Sequence, residues 1–79
     1  MILAVDVGNT NIVLGCMDDN EIYFECRLST DRNKTTAEYA VIFKNVFDIY
    51  GIDLNMIDGA VMSSVVPPID KLLREAIHI

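Results

Sequence analysis

The stretch Met1-Ile2-Leu3-Ala4-Val5-Asp6-Val7-Gly8-Asn9-Thr10-Asn11 governs how the rest of this sequence is read. Its first seven residues form an almost unbroken apolar run with β-branched members, the pattern of a strand covered on both faces and therefore central in its sheet. One charge interrupts the run. Asp6 stands at its C-terminal end, where an unpaired carboxylate is costly to bury, and Gly8 lets the backbone turn tightly so that the following amides converge on one spot. Such a spot suits phosphate, with Thr10 adding a hydroxyl and Asn9 and Asn11 adding side-chain amides. The stretch holds no Lys or Arg, unlike a P-loop, where a lysine lies beside the phosphates. A carboxylate next to a polyphosphate repels it unless a divalent cation lies between them, so Asp6 is assigned to hold Mg²⁺ through water. A plain hairpin turn accounts for the Gly, Asn and Thr without any ligand; the placement of Asp6 favours the ligand.

Working outward, Ile12 to Met17 is a second apolar run, and Asp18-Asp19-Asn20 turns the chain into Glu21 to Leu28. That third run alternates, with Ile22, Phe24, Cys26 and Leu28 on one side and Tyr23, Glu25 and Arg27 on the other, as in a half-exposed strand near a sheet edge. Thr35-Thr36-Ala37-Glu38 is a capping box. It opens a helix carrying Tyr39, Ile42, Phe43, Val46, Phe47 and Tyr50 at helical spacing and closing on Gly51. Ile57 to Ser64 reads as another buried strand, and Pro67-Pro68 opens a second helix with Ile69, Leu72, Leu73, Ala76 and Ile77 on its apolar face. The predicted class is α/β, β-β-β-α-β-α, with a mixed sheet in the order 3-2-1-4.

The chain has 79 residues, 52% hydrophobic and 23% charged, the profile of one small packed domain. Its formal charge is −6, and its six basic residues are scattered, which disfavours nucleic-acid and membrane-surface partners. The apolar N-terminus lacks a basic leader and meets Asp6 too early for a signal or membrane segment. A cytoplasmic protein is expected. A two-residue turn at Asp19-Asn20 sets residue 16 opposite 23 and residue 13 opposite 26, placing Cys16 and Cys26 on opposite faces and leaving both reduced. Two further places bear on function. Ser29-Thr30-Asp31-Arg32 is either a solvated loop or a contact site, and Ser63-Ser64 ends a strand beside the first, so that its hydroxyls either face the crevice of Asp6 or simply close the strand. His78 has no partner in view and is assigned no role.

Asp6-Val7-Gly8-Asn9-Thr10-Asn11, Ser29-Thr30-Asp31-Arg32, Thr36-Ala37-Glu38-Tyr39 and Ser63-Ser64-Val65-Val66-Pro67 together resemble the successive N-terminal signatures of type III pantothenate kinases. The resemblance implies a ribonuclease H-like half-domain of the actin-like ATPase kind. It also implies ATP-dependent phosphorylation of pantothenate to 4′-phosphopantothenate, the first step of coenzyme A synthesis. Asp6, Val7, Gly8, Asn9, Thr10, Asn11, Ile12 and Val13 would form the first ATP phosphate-binding segment. The family is typically a cytoplasmic homodimer that needs K⁺ or NH₄⁺ besides a divalent metal. Its second half, catalytic base, pantothenate loop and monovalent-cation ligands would lie beyond residue 79, so the 79-residue chain is expected to be a truncated N-terminal subdomain, inactive alone. Two alternatives stay open: an inactive nucleotide-binding module, and a ribonuclease H-like nuclease, which would need several converging carboxylates.

Overall fold

A computed structural model describes residues 1–77; His78 lies outside them. The apolar runs become strands β1 (Ile2–Val7), β2 (Asn11–Met17), β3 (Ile22–Ser29) and β4 (Gly59–Ser64). The two amphipathic segments become helices α1 (Thr36–Tyr50) and α2 (Pro67–Ile77), with a 3₁₀ turn at Leu54–Met56 before β4. The sheet order is β3-β2-β1-β4, with β1 antiparallel to β2 and parallel to β4. This is the ribonuclease H-like, actin-like ATPase half-domain that the sequence predicts.

The ends of α1 follow from local chemistry. Glu38 N donates to Thr35 Oγ1 at 3.2 Å, and Thr35 N donates to the Glu38 carboxylate at 3.0 Å. At the other end Gly51 takes φ +70°, a conformation that favours glycine, and its N–H reaches back to the last turn. Thr35→Ala should lower stability by about 1 kcal/mol in denaturant unfolding. The bonds from Thr35 hold the Glu38 carboxyl below its ordinary value of 4.5. A depressed folded value means that this contribution is present above the unfolded pKa and is lost as pH falls through the folded one. The stability difference between the protein and Glu38→Gln should therefore shrink as pH drops below 4.5.

One face of the sheet carries both helices. Leu3, Val5, Val7, Ile12, Leu14, Cys16 and Phe24 meet Tyr39, Phe43, Val46 and Phe47 of α1 and Ile69, Leu73 and Ala76 of α2 in one core. The opposite face holds Ala4, Asp6, Val13, Glu25, Val61 and Ser63, and no helix covers it among the described residues. The expectation of a first strand covered on both faces is thus corrected. β1 is central by hydrogen bonding, yet only alternate residues of its apolar run enter the core.

The β2–β3 hairpin also departs from the sequence reading. Met17 faces Ile22, as a turn at Asp19-Asn20 requires, but a bulge follows and Cys16 faces Phe24. Beyond it every pair is displaced by one residue, so Val13 faces Arg27 and Leu14 faces Cys26. Both cysteines therefore share the helix-covered face, and both are free thiols. Burial raises both pKa values, which keeps them protonated.

Candidate functional site

Asp6 leaves the sheet at the C-terminal end of β1, flanked by Val13 on β2 and Ser63 on β4. It is exposed and in no ion pair among the described residues. The burial penalty inferred for its carboxylate does not apply; solvent and any incoming cation reach it freely. Val7 and Ile12, at 0% exposure each, point into the core, so of these two only the backbone is open to a ligand. Val13 is half-buried on the open face.

The turn between β1 and β2 is tight. Gly8 N donates to Asn11 O at 2.8 Å, which commits the Gly8 amide to the hairpin and leaves the backbone N–H groups of Asn9 and Thr10 without a backbone partner among the described residues. Gly8 itself does not take a positive φ. Its glycine identity is a matter of space, since an added Cβ would lie 3.2 Å from Asn11 O. The Asn11 side-chain amide donates to Thr10 Oγ1 at 3.1 Å, so the Thr10 hydroxyl keeps its own proton to donate. Free N–H and O–H donors on adjacent residues are the ingredients of an anion-binding turn.

The second wall of the turn comes from Ser29-Thr30-Asp31-Arg32. Thr30 N donates to Thr10 O at 3.0 Å, Thr30 Oγ1 donates to Gly8 O at 2.8 Å, and Arg32 Nη2 donates to Asn9 Oδ1 at 3.3 Å. The segment is therefore tied to the hairpin tip and is not simply a solvated loop. It also corrects the picture of a turn without a base: the turn's own sequence has none, but the fold brings one to it. Tyr39, 1% exposed, fixes the segment from below, its hydroxyl accepting from Asp31 N at 3.0 Å and donating to Asp31 O at 2.5 Å.

Ser63 and Ser64 divide their roles. Ser63 is exposed beside Asp6, whereas Ser64 Oγ accepts from Val66 N at 3.0 Å and shapes the start of α2. Among the described residues no three His, Cys, Asp or Glu side chains gather to cage a metal. One free carboxylate beside a hydroxyl fits Mg²⁺, which keeps most of its ligands as water and substrate phosphate. It does not fit the several carboxylates of a two-metal nuclease. A larger apolar cavity, about 480 Å³ between Leu3, Phe43, Leu54, Ile57 and Ala76, lies at the other end of β1 and has no part in this site. No helix is long and apolar enough to cross a membrane among the described residues.

The family model described as type III pantothenate kinase matches residues 2–79. The chain is 49% identical over 69 residues to the type III pantothenate kinase of Exiguobacterium sp. (strain ATCC BAA-1283 / AT1b), a match covering 87% of the chain and 27% of that protein. It is 46% identical over 77 residues to the type III pantothenate kinase of Moorella thermoacetica, covering 98% of the chain and 30% of the relative. With that of Halalkalibacterium halodurans it shares 43% identity over 83 residues, 100% of the chain and 33% of the relative. The chain thus spans between 27% and 33% of the length of these relatives.

Proposed function

Because the chain belongs to the type III pantothenate kinase family, we propose that it supplies the first ATP phosphate-binding segment of an enzyme that phosphorylates pantothenate to 4′-phosphopantothenate. Residues Asp6 to Val13 form that segment. The observation that carries the reading is the hairpin tip itself, where the free amides of Asn9 and Thr10 and the Thr10 hydroxyl stand next to the unpaired carboxylate of Asp6. The tip's donors would hold phosphate oxygens, and Asp6 would hold Mg²⁺ through water. Mg²⁺, when bound, neutralises charge on the phosphates during transfer.

The parent enzyme is a cytoplasmic homodimer with K⁺ or NH₄⁺ as its second cation. In this reading residues 1–79 are its N-terminal subdomain, and the base, the pantothenate pocket and the monovalent-cation ligands belong to a second half. Phosphoryl transfer depends on positioning the two substrates together, and one half-domain positions only one of them. The 79-residue chain alone should give no pantothenate-dependent ADP in a coupled assay. Turnover at the rate of an ordinary kinase would overturn the division of labour between the halves. Binding is tested separately, by titrating the ¹⁵N-labelled chain with Mg²⁺-ATP. The amides of Gly8 to Asn11 should shift at millimolar nucleotide; if they stay in place while the protein is folded, the tip is not a phosphate site.

A further inference from the structure

We propose that Arg32 is the cation of this phosphate site and that Thr30 is the positioning residue that keeps it there. The proposal rests on the reading of Asp6 to Val13 as the phosphate-binding segment and names a group that lies outside it. Arg32 gives the tip only one hydrogen bond, 3.3 Å long, to the neutral Asn9 amide oxygen. A guanidinium has five N–H donors in a fixed fork that matches phosphate oxygens two at a time. Most of that fork is left over. Nor is its charge compensated, because the neighbouring Asp31 carboxylate lies 3.7 Å from Lys34 Nζ and accepts from Asn33 N at 2.8 Å, while Arg32 is in no ion pair among the described residues. In a chain of net charge −6, an uncommitted guanidinium at the tip is the local feature that attracts an anion.

The backbone beneath Arg32 is held from two sides. Thr30 bonds to Thr10 O on the β2 side of the tip and to Gly8 O on the β1 side, so one residue ties both arms of the hairpin to the segment that carries Arg32. Tyr39 holds Asp31 through both its N–H and its carbonyl. The anchoring fixes where the Arg32 backbone stands relative to the tip, so the guanidinium is kept within reach of a ligand there. The ligand it would take is the polyphosphate of the nucleotide, for which Arg32 would supply the positive charge from the protein and Asp6 would hold the Mg²⁺.

The test measures affinity of the 79-residue chain for Mg²⁺-ATP and for Mg²⁺-tripolyphosphate, which has the phosphates without the nucleoside. Arg32→Gln should weaken both by roughly ten-fold, and Arg32→Lys should fall between Arg32→Gln and the unsubstituted chain, keeping the charge but losing the two-at-a-time fork. Thr30→Val should weaken binding of both ligands as well, with Thr30→Ser restoring it, and circular dichroism should show the same fold throughout. If the unsubstituted chain binds and Arg32→Gln binds equally well, the assignment of Arg32 is wrong while the tip remains a phosphate site. If the unsubstituted chain binds neither ligand, both readings fall together.

Discussion

Asp6→Asn, placed in a full-length kinase that carries this segment, is expected to lower kcat by roughly 10²- to 10³-fold, the scale for removing one preorganised electrostatic group from a transferring site. Folding should not change. Asp6 is exposed and in no ion pair among the described residues, and surface substitutions away from such features stay within about 0.5 kcal/mol. The amide also removes a like charge from the neighbourhood of the phosphates, so nucleotide affinity without metal should hold or improve while the benefit of added Mg²⁺ disappears. That split separates a metal ligand from a residue that merely shapes the turn. Near-normal kcat, or an unaltered response to Mg²⁺, would remove the metal role from Asp6.

The largest effect on stability is expected one residue from the site's edge. Leu14 is fully buried between β1 and β3, facing Val5 on one strand and Cys26 on the other. Leu14→Ala should cost about 2–5 kcal/mol, against a total stability of roughly 4–12 kcal/mol for a chain of this length. Its neighbour Val13 lies half-buried on the open face. Val13→Ala should cost under about 1 kcal/mol by the area it removes from water. Urea unfolding of the two variants compares the faces of one strand directly, and equal losses would mean that the open face is covered in solution.

The elements were legible because each is announced by its own residues. β-branched runs stopped by Gly8 and by Asp18-Asp19-Asn20 mark the hairpins, and Thr35, Glu38 and Gly51 mark both ends of α1. The register of β3 was not legible, because no local residue decides it. Phe24 stacks on Tyr50 with centroids 4.6 Å apart and meets Phe47 edge-on at 6.2 Å, while the Tyr23 hydroxyl turns back to the Asp18 carboxylate. These contacts draw Phe24 to α1 and leave Tyr23 as the extra residue, and the packing that places Phe24 depends on residues of that helix more than twenty positions away. The site inherited the same blind spot. Asp6 and the turn after it could be picked out from adjacent residues, but Thr30 and Arg32 reach the turn only through pairing across β2 and β3. The covering of β1 was misjudged for a related reason: an apolar run shows which residues avoid charge, not which of the two faces the rest of the chain supplies.

The bulge beside Cys16 has a consequence for how this hairpin tolerates changes of length. The turn at Asp18 to Glu21 is exposed, the sort of place where chains gain and lose residues harmlessly. Here a gain or loss is neutral only if Cys16 still meets Phe24. If the irregularity were flattened with the sequence unchanged, Cys26 would stand opposite Val13 on the open face, Glu25 and Arg27 would turn towards the helices, and Ser29 would take Thr30's place beside Thr10. One insertion at the far end of the hairpin would then both spoil the core and strip the tip of its clasp, so alignment gaps between Cys16 and Phe24 should come in forms that conserve the pairing beyond them.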